Sequence, residues 1–189
     1  MAIHGSPREG GNSDLLLTEA IKGVEEAGSS VQLIKPAKMS IAPCKNCGGC
    51  TATGKCVQDD DMSDVYDVIR SSDRVILSSP IFFLGLPAQL KAMIDRCQAF
   101  WCEKYLMKRP IKPRRVGRRG LLFLVGGMRM KSGYECAGTT ATAFFRTINV
   151  YEYEISKYAK VDEKGAIKSH PNALKDAREA GKRLVTALG

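Results

Sequence analysis

The sequence predicts an α/β fold: a five-stranded parallel sheet with helices on both faces. Three observations carry that expectation. Short apolar runs alternate with segments of helical periodicity along all 189 residues, the pattern of a parallel sheet covered by crossover helices. The segments richest in glycine, cysteine and aromatic residues follow the predicted strands, at the end where such sheets bind ligands. Finally, the length and a hydrophobic share of 44% are those of one domain, residues 1–189, able to bury a core without disulfides.

Ala2 to His4 reads as the first strand. Asp14 to Ala27 places Leu15, Leu16, Ala20, Val24 and Ala27 near helical spacing. Ser30 to Ile34 is a second strand, with Val31 and Leu33 on one face. Met62 to Ser71 is a helix, and Asp59, Asp60 and Asp61 lie at its start, where negative charge suits the dipole. Arg74 to Ser78 is a buried strand. Pro87 to Trp101 is a helix, with Pro87 suited to the first helical position. Gly120 to Val125 is a fully buried strand, Gly138 to Ile148 a helix, Tyr151 to Ile155 a strand and Pro171 to Leu188 a final amphipathic helix.

Four cysteines, Cys44, Cys47, Cys50 and Cys56, fall within 13 residues in a loop of about 43–60. Soft thiolates at that density select zinc, copper(I) or an iron–sulfur cluster over hard cations. Structural zinc more commonly takes two separated pairs, and free thiols on a loop are the third possibility. Cys97, Cys102 and Cys136 have no such spacing and read as small buried hydrophobes.

The segment Gly5-Ser6-Pro7-Arg8-Glu9-Gly10-Gly11-Asn12-Ser13 has the composition of a phosphate loop. Gly10 lets the backbone approach a ligand closely. Ser6, Asn12 and Ser13 add neutral donors, Arg8 adds charge, and the helix that follows presents free N–H groups to an anion. It has neither the Walker lysine nor the Gly-x-Gly-x2-Gly spacing, so a monophosphate such as that of FMN fits best. A plain βα turn with an Asn or Ser cap is the alternative. A cluster beside a phosphorylated cofactor points to electron transfer.

The net charge of +9 comes from one segment. Lys104 to Arg119 holds eight basic residues and no acidic one, against 21 basic and 20 acidic residues elsewhere. It reads as a solvated loop or as a dock for an acidic partner; no recognition motif supports nucleic-acid binding. Without an apolar leader or a membrane-length apolar run, the expected location is cytoplasmic.

The loop Gly5 to Ser13, followed by Ser79-Pro80-Ile81-Phe82-Phe83-Leu84-Gly85 and Ala88 to Arg96, resembles the flavodoxin-like NAD(P)H-dependent FMN reductases. With the cysteine run included, it is most similar to their iron–sulfur flavoprotein subfamily. The resemblance runs from Ile3 to about Val150. It implies a flavodoxin-like fold, with the FMN phosphate on Ser6, Arg8, Gly10, Asn12 and Ser13. The flavin ring would lie against Pro80, Ile81, Phe82, Phe83 and Gly85, with Gly126 and Gly127 in the family's third flavin-side loop. A [4Fe–4S] cluster would be held by Cys44, Cys47, Cys50 and Cys56. Lys91, Asp95 and Arg96 belong to the family's interface helix. The family often has Tyr at Phe82 and Gly at Leu84. A homo-oligomer, dimer or tetramer, is implied, with electrons from ferredoxin or NAD(P)H. Two other readings stay open: a cluster-free NAD(P)H-dependent FMN, quinone or azo reductase, and a zinc-stabilised interaction module without flavin.

Overall fold

A computed structural model describes residues 1–114 and 117–186. Five strands form one sheet in the order β2-β1-β3-β4-β5, every neighbouring pair parallel. They are β1 (Ala2–His4), β2 (Leu33–Ile34), β3 (Arg74–Pro80), β4 (Arg119–Gly126) and β5 (Glu152–Ala159). The helices are α1 (Asn12–Glu26), α2 (Met62–Ser71), α3 (Ala88–Arg96), α4 (Gln98–Trp101), α5 (Lys131–Thr147) and α6 (Ala173–Thr186). The flavodoxin-like architecture read from the sequence is the one observed. The chain reverses direction across the sheet between β1 and β3, where doubly wound folds open a crevice.

Alternation along the central strands sorts the core onto two faces. Leu122 and Leu124 of β4 point into one apolar cluster with Met93 of α3, Val65 of α2 and Phe144 of α5. Leu121, Phe123 and Val125 point into the other, under Leu16 and Ala20 of α1 and Ala177 of α6. Because both faces are covered, β3 and β4 read as continuous apolar runs. Each such side chain, fully buried, contributes about 1.5–3 kcal/mol. The edges are blunted differently. β2 is two residues long, shorter than the predicted Ser30–Ile34, and β5 carries Glu152, Glu154 and Lys157 on exposed positions, a common protection against edge pairing.

Besides β2, three elements differ from expectation by more than two residues. β5 continues to Ala159, four residues past Ile155, because its pairing with β4 extends to Gly126. α5 begins at Lys131, seven residues before Gly138. Gly133 is accommodated there because a Cβ at that position would lie only 3.3 Å from the Leu84 side chain. The expected helix Pro87–Trp101 breaks at Cys97 into α3 and α4 and continues as a π turn, Cys102–Leu106; Pro87 caps α3 from outside instead of opening it.

Candidate functional site

The loops after β1, β3, β4 and β5 meet over the crevice. Ser6, Arg8, Asn12, Ser13, Pro80, Ile81, Phe82, Gly126 and Gly127 line a cavity of about 210 Å³. Phe83 lines a second of about 270 Å³, which shares Ile81, Gly126, Gly127 and Asp162 with the first. The two form one groove. Gly10 and Gly85 line neither cavity and act on the loops themselves.

Gly10 has φ +66°, and its N–H donates to Asp14 Oδ2 at 2.7 Å. Ser6 Oγ accepts the N–H of Arg8 at 3.0 Å, which folds the loop back over the start of α1. The side chain of Asn12 is occupied elsewhere. Its amide nitrogen donates to the Glu163 carbonyl at 2.8 Å, and its oxygen accepts the Ile167 N–H at 3.2 Å. Asn12 thus ties the β5–α6 loop to the helix start and leaves its backbone N–H for a ligand. The first N–H groups of α1 lack intrahelical partners, and anions bind such an end.

Phe82 and Gly85 exchange backbone hydrogen bonds at 2.9 Å each way, closing a two-residue turn. Its central residues, Phe83 and Leu84, have φ +45° and +64°, a conformation costly for side-chain-bearing residues. The turn projects Phe83 fully into solvent beside exposed Met128 and Met130. Across the groove, Asp162 stands so close to Gly127 that a Cβ there would lie 2.9 Å from its carboxyl carbon. Val161 and Asp162 were not anticipated, because sequence patterns after Val150 looked generic. Their position after the last strand was the available signal, since ligands gather at strand ends.

The four cysteines line a separate cavity of about 60 Å³ at the far end of α3, with Arg96, Gln98 and Cys102. Arg96 organises it. Its buried guanidinium donates to the carbonyls of Ala42, before the cysteines, and Gln58, after them, at 2.8 and 3.4 Å, and it pairs with Asp60. The Asp60 carboxylate also accepts the N–H groups of Ala42 and Met62. Burial alone would raise the Cys56 thiol. The Gln58 N–H, Arg96 and the Tyr66 hydroxyl outweigh that effect and bring it below the ordinary range. Burial and the adjacent Cys102 push Cys50 up to about 11. Among the described residues, no group of three or more Cys, His, Asp or Glu side chains is arranged around one metal-ion position.

Of the remaining cysteines, Cys97 and Cys102 are buried as expected, whereas Cys136 is exposed on the outer face of α5. Lys91 pairs with Asp95 one turn away. The basic segment is less free than a solvated loop. Arg118 is buried and donates to the Ile69 carbonyl, Arg119 pairs with Glu152, and the backbone of Arg114 donates to Asp73. Arg115 lies outside the described residues. No helix among those described is long and apolar enough to cross a membrane.

Strand order and crevice define a flavodoxin-like, doubly wound α/β protein. Residues 1–149 match the model of the NADPH-dependent FMN reductase family. The chain belongs to that family of flavin-dependent oxidoreductases, and within it to the iron–sulfur flavoproteins. An iron–sulfur flavoprotein of Archaeoglobus fulgidus is 42% identical over 96 residues, 51% of this chain and 44% of that one. Another from the same organism is 30% identical over 145 residues, covering 77% and 70%. One from Methanosarcina thermophila is 33% identical over 127 residues, covering 67% and 62%. The chain thus spans about half the length of the first relatives it matches. Two solved structures share the fold at 16% identity and a TM-score of 0.66. One is an FMN-dependent NADH-azoreductase of Bacillus anthracis in complex with FMN, covering 98% of each chain. The other is an NAD(P)H:quinone oxidoreductase from Methanothermobacter marburgensis, covering 100% and 96%.

Proposed function

We propose that this chain is a single FMN-binding domain with an attached cluster loop, which passes electrons between a reduced donor and an acceptor. The observation that carries the reading is the coexistence of two sites: a groove at the β1/β3 crevice, and a separate cavity lined by Cys44, Cys47, Cys50 and Cys56. When bound, FMN supplies one- and two-electron chemistry and a [4Fe–4S] cluster supplies single-electron transfer. The residue types suit both groups, soft thiolates for a cluster and charged and neutral donors at a helix start for a phosphate. Arg8, the Ser6 hydroxyl and the start of α1 would hold the phosphate, and Ile81, Phe82 and the Gly126–Gly127 backbone would hold the flat ring. The four thiols would ligate the cluster, and Gly48, in the lining of their cavity, adds no side chain there.

α3 begins beside the flavin turn and ends at the cysteine pocket. Its nine residues at ~1.5 Å each span roughly 13 Å, so one rigid element sets the separation of the two sites. Phe83, Met128 and Met130 leave an apolar rim around the groove, which supports the homo-oligomer the family resemblance implies. Ferredoxin and NAD(P)H are the proposed donors, and the exposed part of Lys104–Arg119 is the surface offered to an acidic one.

The test is the visible spectrum of anaerobically purified protein, with iron, sulfide, zinc and FMN assayed on the same sample. About four iron and four sulfide with one FMN per chain supports the reading. FMN without iron after attempted reconstitution replaces it with a cluster-free reductase, and zinc without flavin replaces it with an interaction module. Arg8→Ala should weaken FMN binding about tenfold, ~1.4 kcal/mol, and leave riboflavin binding unchanged.

A further inference from the structure

The cysteine pocket contains one thiol more than a four-ligand cluster uses. Cys102 is only 2% exposed, yet its sulfur faces the cavity, 3.7 Å from Cys50 Sγ and 3.8 Å from Gln98 Nε2. The two cysteines come from unlike supports. Cys102 opens the π turn that continues α4. Cys50 sits in a loop turn closed by the Thr51 N–H on the Gly48 carbonyl and the Gly54 N–H on its own carbonyl. Gly54 presses that turn against the π turn: a Cβ on it would lie 2.3 Å from Cγ of Glu103, the residue after Cys102. Glu103 is itself anchored to Arg70 at 2.8 Å. The approach of the two sulfurs is therefore built into the packing around them.

We infer that Cys50 and Cys102 form a disulfide when the pocket holds no cluster, so that bridge and cluster are alternative occupants of one site. Bringing the sulfurs from 3.7 Å to the ~2.05 Å of a disulfide is a side-chain adjustment within a turn, not a rearrangement of the chain. The oxidant is a low-molecular-weight disulfide. Cys50, the more exposed of the two, exchanges with one sulfur of the oxidant; its S–H proton goes to the other half, which leaves as a thiol. Buried Cys102, which small oxidants reach poorly, then displaces the second half. Two thiol hydrogens leave on the two released thiols, and the two electrons reduce the oxidant. The mutual exclusion, unlike the bridge, rests on the cluster reading above.

The full chain, reduced and stripped of metal with a chelator, is treated anaerobically with glutathione disulfide, quenched in acid, alkylated and mapped by tandem mass spectrometry. The expected product has a Cys50–Cys102 cross-link, with each of the other five cysteines either alkylated or carrying glutathione. Cys102→Ser should stop at a glutathione adduct on Cys50, and Cys50→Ser should form no bridge to Cys102. Alkylation of all seven cysteines in the wild type, or a bridge confined to Cys44, Cys47 and Cys56, overturns the proposal. The bridged and reduced proteins are then offered iron and sulfide. Uptake by the reduced form, and by the bridged form only after dithiothreitol, supports mutual exclusion; equal uptake by both overturns it. No uptake by the reduced form defeats the cluster reading instead, while the mapped bridge stands on its own.

Discussion

The guanidinium of Arg96 meets the carboxylate of Asp60 with both of its terminal nitrogens, Nη1 to Oδ2 at 2.6 Å and Nη2 to Oδ1 at 3.1 Å. One side chain at the end of α3 therefore holds the residues on either side of the cysteine loop. Arg96→Ala would strand Asp60, only 11% exposed, without its counter-ion, and losing one partner of a buried pair costs about 3–5 kcal/mol. Arg96→Lys keeps the charge but not the fork, so its loss should be intermediate. Urea unfolding gives the energies, and limited proteolysis across residues 42–58 reports the loop. An Ala variant as stable and as protease-resistant as the parent would show that the pair does not hold the loop.

Acid should weaken the fold in two stages. Burial disfavours the charged form of His4 and holds its pKa below the ordinary 6.5, against the opposing pull of Asp14. A depressed folded-state pKa means that the unfolded chain takes the proton first. This contribution is complete above pH 6.5 and is lost as pH falls from there through the folded value. For Asp60, burial alone would raise the carboxyl, but Arg96 and the N–H groups of Ala42 and Met62 outweigh it and hold it below 3.8. Its contribution is complete above pH 3.8 and is lost as pH falls through the lower folded value. Melting temperatures against pH check both stages. His4→Gln should flatten the first, and an unchanged slope just below pH 6.5 would exclude His4 as its source.

α1 and α6 touch backbone to backbone. A Cβ on Gly23 would lie 1.9 Å from the Arg178 carbonyl oxygen, and one on Gly181 would lie 2.0 Å from that of Ala20. Replacing a mid-helix glycine by alanine ordinarily gains ~0.5–1 kcal/mol. Overpacking costs about 1–3 kcal/mol or more, and with backbone as the obstacle it should win. Gly23→Ala and Gly181→Ala are each expected to lower stability by about 3 kcal/mol while leaving FMN affinity within twofold. Stabilisation by either change would refute the close contact.

The Phe83-Leu84 turn stores strain. Both residues have positive φ, each costing on the order of 1–3 kcal/mol, where Asn-Gly is the favoured pair in a tight hairpin turn. Phe83→Asn with Leu84→Gly should raise the melting temperature and also loosen flavin retention and subunit association, because the exposed aromatic is gone. Higher stability with unchanged FMN affinity and oligomer size would separate the strain from function.

Much of this was legible in the residues. Val-Ile-Leu in β3 and Leu-Leu-Phe-Leu-Val in β4 could be read as central strands because burial on both faces demands unbroken apolar character. The glycine loop and the cysteine run are local: their chemistry lies in adjacent residues, so spacing alone exposed it. The start of α5 was missed because Gly133 and Gly138 weigh against a helix until Leu84 is seen packing where a side chain would go.

What lies far apart in the chain was not legible. Asp162 reaches Gly127, Asn12 reaches Glu163 and Ile167, and Cys102 reaches Cys50. By itself the sequence determined the fold class, a glycine-rich loop after the first strand and the four-thiol run, because periodicity and local spacing are properties of neighbouring residues. Only the tertiary structure decided which strand-end loops share one groove, that Arg96 closes the cysteine loop and that a fifth thiol enters its pocket. Those outcomes depend on where parallel crossovers return the chain, and no short-range pattern encodes that.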